Sequence, residues 1–231
     1  MFRLIGVSHA YDDGVSALED VSLKIPRGRA VALTGANGCG KTTLLRVLNG
    51  LIAPTKGEYF FDGARIDKAA LKDARFAKEF HRRVGFVFQN VDAQLFCGSV
   101  EDEIAFGPRQ LGLSEAECRA RVDDCLKLLG IEALRNRAPY ATSGGEKRRI
   151  AFACVLSLNP DALVMDEPLA GLDVGAQETV VELLRSLKAA KKTLVFATHN
   201  EALVREIADV RVGMDSGRIA AIEEPPRSRE K

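Results

Sequence analysis

Ala30-Val31-Ala32-Leu33-Thr34-Gly35-Ala36-Asn37-Gly38-Cys39-Gly40-Lys41-Thr42-Thr43 carries more information about the fold than any other part of the chain. Four consecutive apolar residues, Ala30 to Leu33, mark a strand buried on both faces, as in a parallel sheet. The glycine-rich turn that follows matches the phosphate-binding loop pattern at every required position, and a helix is expected from about Thr42 to Leu51. Glycines let the backbone curl so that successive N–H groups point at phosphates, at the positive end of the next helix. Lys41 supplies a mobile charge for the β- and γ-phosphates of a nucleotide, and the Thr42 hydroxyl is a ligand for Mg²⁺. The expected ATP contacts are therefore Gly35, Asn37, Gly38, Cys39, Gly40, Lys41, Thr42 and Thr43, with the Cys39 thiol a bystander.

A second segment, Leu163-Val164-Met165-Asp166-Glu167, ends a buried strand in two acids. Beside a phosphate site such acids have distinct tasks. Asp166 would hold Mg²⁺ and Glu167 would polarise the attacking water. The two segments together predict a P-loop NTPase, an α/β protein built on a RecA-like parallel sheet.

The surrounding chain fits that core. Val21-Ser22-Leu23-Lys24-Ile25 alternates apolar with polar, and Tyr59-Phe60-Phe61, the turn Asp62-Gly63 and Arg65-Ile66 read as a hairpin, which predicts an N-terminal antiparallel β subdomain. Val84 to Phe88 reads as another buried strand. From about Gln89 to Leu158 the signals are mostly helical. Ser114-Glu115-Ala116-Glu117 is a capping box that opens a helix, Gly130 closes it, and a second helix follows Ser143-Gly144-Gly145. Strand and helix alternate again with Ala162–Met165, a helix near Val174–Ala190 and Leu194–Ala197. The expected organisation is one ATPase domain over 1–231, with 1–89 and 159–231 as the nucleotide-binding core and 90–158 as an inserted helical subdomain. The tail from Glu223 to Lys231 is expected to fray.

Composition narrows the class further. Hydrophobic residues make up 46% of the 231 and charged residues 28%, enough to bury a core. The formal charge of +1, from 33 basic and 32 acidic residues, argues against a protein that grips nucleic acid. No stretch approaches the roughly 20 apolar residues of a membrane span, and the first residues are too short for a signal peptide. Work at a membrane would need another subunit to supply the spans. The five cysteines include no CxxC pair, which fits a reducing compartment better than a disulfide framework or zinc site. Cys118 and Cys125 fall on one face of a predicted helix and read as packing thiols.

Thr142-Ser143-Gly144-Gly145-Glu146 resembles the signature motif of ATP-binding-cassette proteins, placed as in that family between the helical region and the Asp-Glu strand. The resemblance implies that Ser143, Gly144 and Gly145 bind the γ-phosphate of ATP held by a second ATPase subunit. It implies further that Gln89 touches Mg²⁺ and water, that His199 contacts the γ-phosphate, and that Tyr11 stacks on adenine. Gln89, Glu167 and His199 are then the catalytic group, and Thr42, Gln89 and Asp166 the Mg²⁺ set. Ala170-Gly171-Leu172-Asp173 resembles the segment that crosses the dimer interface. Thr142 and Glu146 depart from the commonest residues of the family, leucine and glutamine. The first would loosen packing beneath the loop, and the second would add negative charge near a phosphate.

Phe88-Gln89-Asn90-Val91-Asp92-Ala93-Gln94-Leu95-Phe96, Val100 to Pro108 and Leu111-Gly112-Leu113-Ser114 are similar to the ATPases of energy-coupling-factor importers. That branch imports cobalt, nickel or vitamins such as biotin. The resemblance implies a peripheral protein at the cytoplasmic face of the membrane. Its partners would be a transmembrane energy-coupling subunit and a substrate-binding membrane component. Leu95, Phe96 and Phe106 are candidate contacts for the membrane subunit, with burial in the helical lobe as the alternative. Cobalt or nickel is the first expectation for the cargo and a vitamin the next. Homodimer and heterodimer both remain open. The rival from another class is a cassette ATPase without a transporter, but such proteins usually carry tandem cassettes or long coiled-coil insertions, and neither is seen.

Overall fold

The computed structural model describes residues 1–11 and 14–224; of the tail expected to fray from Glu223, Glu223 itself ends a strand, and residues 225–231 lie outside the described residues. The main sheet contains β3 (Ala30–Thr34), β6 (Val84–Val87), β7 (Ala162–Asp166), β8 (Thr193–Ala197), β9 (Val210–Asp215) and β10 (Arg218–Glu223). Their order is β10–β9–β3–β8–β7–β6, parallel throughout except for the β10 edge. The smaller sheet is antiparallel, in the order β2–β1–β4–β5, from β1 (Phe2–Ala10), β2 (Ser16–Ile25), β4 (Lys56–Phe61) and β5 (Ala64–Arg65).

The apolar runs of the central strands divide, residue by residue, between two cores. Ala162 and Val164 of β7 join one cluster with Val31, Leu33, Val195 and Ala197, covered by α1 (Lys41–Leu48) and the antiparallel sheet. Leu163 and Met165 point the other way and join Ala32, Leu194 and Phe196. Helices α4 (Val100–Gln110), α5 (Glu115–Leu128), α6 (Gly144–Leu156), α7 (Val174–Ala189) and α8 (Glu201–Ile207) share that second core. A strand buried on both faces must be apolar at every position, and β3, β7 and β8 are buried throughout. The P-loop NTPase architecture expected from the sequence is thus present, with its antiparallel β subdomain and helical lobe.

Several boundaries differ from expectation. The first helix stops at Leu48 rather than Leu51. Asn49 caps it, with its side-chain amide donating to Val84 O at 3.0 Å, and Gly50 turns away at φ 68°. The strand expected to reach Phe88 ends at Val87, because the Phe88 N–H leaves the ladder for Gln94 Oε1 at 3.3 Å. Two helices went unread: α2 (Lys68–Lys72), capped by Asp67, and α3 (Ala74–Arg83), capped by Asp73. Their faces are so highly charged that only Phe80 among their residues is fully buried. Both expected ends of α5 formed: Ser114 closes a capping box with Glu117, and Gly130 turns the chain away at φ 60°. Cys118 and Cys125 are buried in α5.

Candidate nucleotide site

The C-terminal ends of β3, β7, β8 and β6 lie side by side, and each gives way at once to a loop carrying predicted site residues. This is where open parallel sheets bind ligands. A cavity of about 580 Å³ opens there, lined by Tyr11, Asn37, Gly38, Gly40, Lys41, Thr42, Thr43, Gln89, Asp166, Glu167 and His199.

The loop between β3 and α1 needs its glycines. Gly35 sits at φ 136° and a Cβ there would lie 2.2 Å from Met214 O; Gly40 sits at φ 102° with Ala17 O 2.5 Å from the same position. Gly40 caps α1 without a side-chain hydrogen bond, and no acidic residue occupies the first turn. The positive end of the helix is therefore left for a ligand. Lys41 is buried and folds back, donating to Gly35 O at 2.7 Å and Ala36 O at 2.8 Å. Cys39 faces away from the cavity into the core beneath the loop, and its N–H donates to Ala36 O at 3.3 Å. Its thiol packs in that core and also accepts from Lys41 Nζ at 3.8 Å.

The acids come from the end of β7. Asp166 is 4% exposed and accepts from Thr42 Oγ1 at 2.7 Å. Glu167 has φ 47°, a left-handed backbone that costs a non-glycine residue of order 1 kcal/mol or more. Its N–H donates to Ala197 O at 3.0 Å, and its Oε2 accepts from Thr198 Oγ1 at 3.3 Å. Oε1 is buried with no hydrogen-bond partner among the described residues, and His199 Nε2 stands 3.6 Å away. His199 Nε2 itself lies 2.9 Å from Asn37 Oδ1. A buried carboxylate oxygen without a donor, held by strained backbone at the cavity wall, is suited to a water or a substrate proton.

Thr42 Oγ1, the Asp166 carboxylate and the exposed Gln89 amide are hard oxygen donors that all line this cavity, the first two in contact. Mg²⁺ takes such donors, using one or two carboxylates together with substrate phosphates. The donor set fits that ion. Tyr11 stands at the mouth, its ring edge-on to His9 (5.0 Å, 86°) and its hydroxyl 3.0 Å from Thr43 Oγ1.

Ser143, Gly144 and Gly145 are not in this cavity. They form the exposed N-terminus of α6, where Ser143 and Glu146 make a reciprocal capping box. Glu146 Oε2 accepts the Ser143 N–H at 2.7 Å, and Ser143 Oγ accepts the Glu146 N–H at 3.3 Å. The Ser143 bonds hold the Glu146 carboxyl below its usual range, so it carries the charge expected beside the loop. Thr142 satisfies its hydroxyl locally, donating to Pro139 O at 2.7 Å.

Sequence reasoning missed three residues that shape the site. Thr198 steadies Glu167, as above. Glu103, 4% exposed on α4, accepts the N–H groups of Phe96 and Cys97 at 2.8 and 2.5 Å and fixes that loop. Arg148, 4% exposed on α6, donates to the carbonyls of Phe88 and Gln89. Burial pushes the Arg148 guanidinium down from its ordinary value, opposed by the nearby Asp166 and Glu167 carboxylates. The run Glu146-Lys147-Arg148-Arg149 was visible, but nothing local marked which arginine turns inward.

A loop at a helix N-terminus, a histidine just past the adjacent strand β8 and two acids at the end of β7 beyond it define a nucleotide-hydrolysing cassette. Comparison with known proteins agrees: residues 18–170 match the ABC transporter family, and the chain belongs to it as an ATP-hydrolysing subunit. It is 47% identical over 209 residues to a nickel import ATP-binding protein of Lactiplantibacillus plantarum, covering 90% of this chain and 86% of that one. It is 38% identical over 221 residues to an energy-coupling factor transporter ATP-binding protein of Methanothermobacter thermautotrophicus, covering 96% and 70%. Among solved structures, a dimeric ATP-binding cassette in a post-hydrolysis state bound to ADP and Pi superposes with a TM-score of 0.90. That match has 29% identity and covers 99% of this chain and all of the other.

Proposed function

We propose that this ATPase powers import of nickel or cobalt ions as the peripheral, cytoplasmic-face subunit of an energy-coupling-factor importer. The observation that carries the reading is one cavity gathering Lys41, Thr42, Asp166, Glu167 and His199 in a chain 47% identical to a nickel import ATP-binding protein. Among the described residues no helix is long and apolar enough to cross a membrane, and in this reading the path for the ion lies in other subunits.

The residues divide the work as follows. Lys41 exchanges its two backbone carbonyls for β- and γ-phosphate oxygens, and the α1 N–H groups complete the cradle. Thr42, Asp166 and Gln89 hold Mg²⁺, which when bound neutralises charge on the phosphates. Glu167 Oε1 takes a proton or hydrogen bond from the attacking water, and His199, held by Asn37, faces the γ-phosphate. Tyr11 offers its ring to adenine. Ser143, Gly144 and Gly145 complete the site of a second ATPase subunit, so ATP is sandwiched between two chains. Their exposed position outside their own cavity, on a helix N-terminus, supports that arrangement.

Phe96 is 67% exposed and Phe106 43% exposed, and their rings meet edge to face at 5.0 Å, forming an aromatic surface suited to a transmembrane partner. Leu95 is half-buried and packs against the core, so it offers less to a partner. The test is co-expression with a candidate transmembrane subunit and assay of ATP-dependent uptake of radioactive nickel and cobalt in vesicles. Co-purification with metal uptake supports the reading; a complex that moves neither ion removes the cargo assignment.

A further inference from the structure

Arg148 sits three residues past Gly145 on α6, yet its guanidinium reaches two other parts of the site. Nη1 donates to Phe88 O at 2.8 Å and Nη2 to Gln89 O at 2.9 Å. Nη2 also points at Ala170 O, 3.4 Å away, in the segment that follows Glu167. Among the described residues Arg148 forms no ion pair within 4.0 Å, so a buried cation is spent wholly on backbone carbonyls. Burying a charge without a close counter-charge is costly. A residue needed only to fill space here would more readily be apolar. The next residue back, Lys147, pairs with Asp92 at 2.6 Å. Two consecutive side chains of α6 therefore hold both ends of the segment from Phe88 to Asp92.

We propose that Arg148 is a positioning residue that locks Gln89 and Ala170 to the helix bearing Ser143, Gly144 and Gly145. When that helix engages a nucleotide on the second subunit, the guanidinium carries Gln89 and the segment behind Glu167 into register. The contact at 3.4 Å is at the limit of hydrogen bonding and is the link with most room to change. Arginine suits the task because its planar fork addresses several acceptors at fixed angles, whereas lysine offers a single point charge. The proposal rests on the assignment of Gln89 and Glu167 to hydrolysis.

The experiment compares Arg148→Met, Arg148→Lys and Lys147→Ala in the full chain. Each is assayed for ATPase kcat and KM, affinity for a fluorescent ATP analogue, and thermal melting. Misplacing catalytic groups by a fraction of an ångström to about 1 Å costs roughly 10- to 100-fold, so Arg148→Met should lose that much kcat. Its nucleotide affinity should stay within about twofold, because the loop from Gly35 to Thr43 is untouched. Arg148→Lys should recover part of kcat, and Lys147→Ala should change it by less than about threefold, since its partner Asp92 is exposed and the pair touches no site residue. Wild-type kcat in Arg148→Met overturns the proposal. So does a parallel fall in kcat, affinity and melting temperature with no recovery in Arg148→Lys, which would mark a purely structural arginine. If Arg148→Met does not fold, Arg148→Lys alone decides: kcat lowered at unchanged affinity supports the proposal, and wild-type kcat overturns it. Gln89→Ala and Glu167→Gln run alongside. If those two keep wild-type turnover, the site assignment fails; if they lose it while Arg148→Met does not, only this proposal fails.

Discussion

Thr42 Oγ1 donates to Asp166 Oδ2 at 2.7 Å, joining the first turn of α1 to the last residue of β7. The bond draws together two oxygens from segments 124 positions apart, both proposed as ligands of one cation. Asp166→Asn keeps the shape of the side chain and removes its charge. The Mg²⁺ concentration for half-maximal ATPase should rise at least about tenfold, the scale at which even outer partners of a bound metal act. Magnesium titration of the ATPase checks this. An unchanged half-saturation would take Asp166 out of the metal set.

Lys41 is the most sensitive single position of the phosphate site. In the structure its ammonium is satisfied by Gly35 O and Ala36 O, so Lys41→Ala leaves two loop carbonyls without their donor as well as removing the charge for phosphate. Turnover should fall by roughly 100-fold or more, as when a preorganised donor to developing charge is removed. Nucleotide binding by fluorescence should weaken too, with a cooperative melt showing that the fold survives.

Leu95 and Phe96 are neighbours in sequence but differ in burial, Leu95 half-buried against the core and Phe96 exposed, and their variants should separate. Leu95 packs against the helical core, so Leu95→Ser should cost about 1–2 kcal/mol of stability, low in the usual range because the side chain is only partly buried. Phe96→Ser and Phe106→Ser break an exposed ring pair and should cost under about 1 kcal/mol each. They should leave ATPase of the isolated chain unchanged while uptake by the assembled transporter falls. Denaturant melts and vesicle uptake measure the two effects independently.

What the sequence made legible was chemistry packed into short windows. The phosphate loop needs Gly35, Gly38, Gly40 and Lys41 within seven residues, and the Asp166-Glu167 pair is contiguous with its strand. Such constellations announce themselves because one turn of backbone presents them together. Arg148 could not be read the same way. Its partners are backbone carbonyls 59 and 60 residues away, and a carbonyl leaves no mark in a sequence. Glu103 was hidden among Glu101 and Asp102, where acids at a helix N-terminus look like dipole partners. Only packing shows that it turns inward to Phe96 and Cys97. Helix α2 is only five residues long, and α3 shows its apolar period in just Phe76, Ala77 and Phe80 among charged neighbours, so both were easily passed over. Their caps, Asp67 and Asp73, were a further local signal.

Glu167→Gln separates binding from hydrolysis and tests the proposed sandwich directly. Glutamine keeps the size of the side chain and can adopt the same strained backbone at φ 47° about as well as glutamate, so the fold should be preserved. It also leaves Lys41, Thr42 and Asp166 to hold nucleotide and Mg²⁺. What it removes is the carboxylate whose Oε1 lies buried without a donor, the group placed to take a proton from water. Turnover should fall by roughly 10²- to 10⁴-fold, the usual contribution of a general base. Loss of that negative charge near the γ-phosphate should also favour the closed dimer, and ATP that is bound but not cleaved should keep it closed. Ligand that binds only the associated form drives association by mass action. Light scattering should therefore show a dimer with ATP and a monomer with ADP. Adding Ser143→Arg should abolish the dimer, but that change also removes a helix cap worth about 1 kcal/mol. Ser143→Asp is the companion variant: aspartate caps a helix as well as serine does, yet places a charge against the opposing phosphate. If both double variants stay monomeric with ATP while melting normally, the phosphate contact holds the two chains together. A Glu167→Gln protein that hydrolyses ATP at the wild-type rate would remove Glu167 from catalysis. One that is inactive yet monomeric with ATP would show that the two chains close only on the membrane subunit.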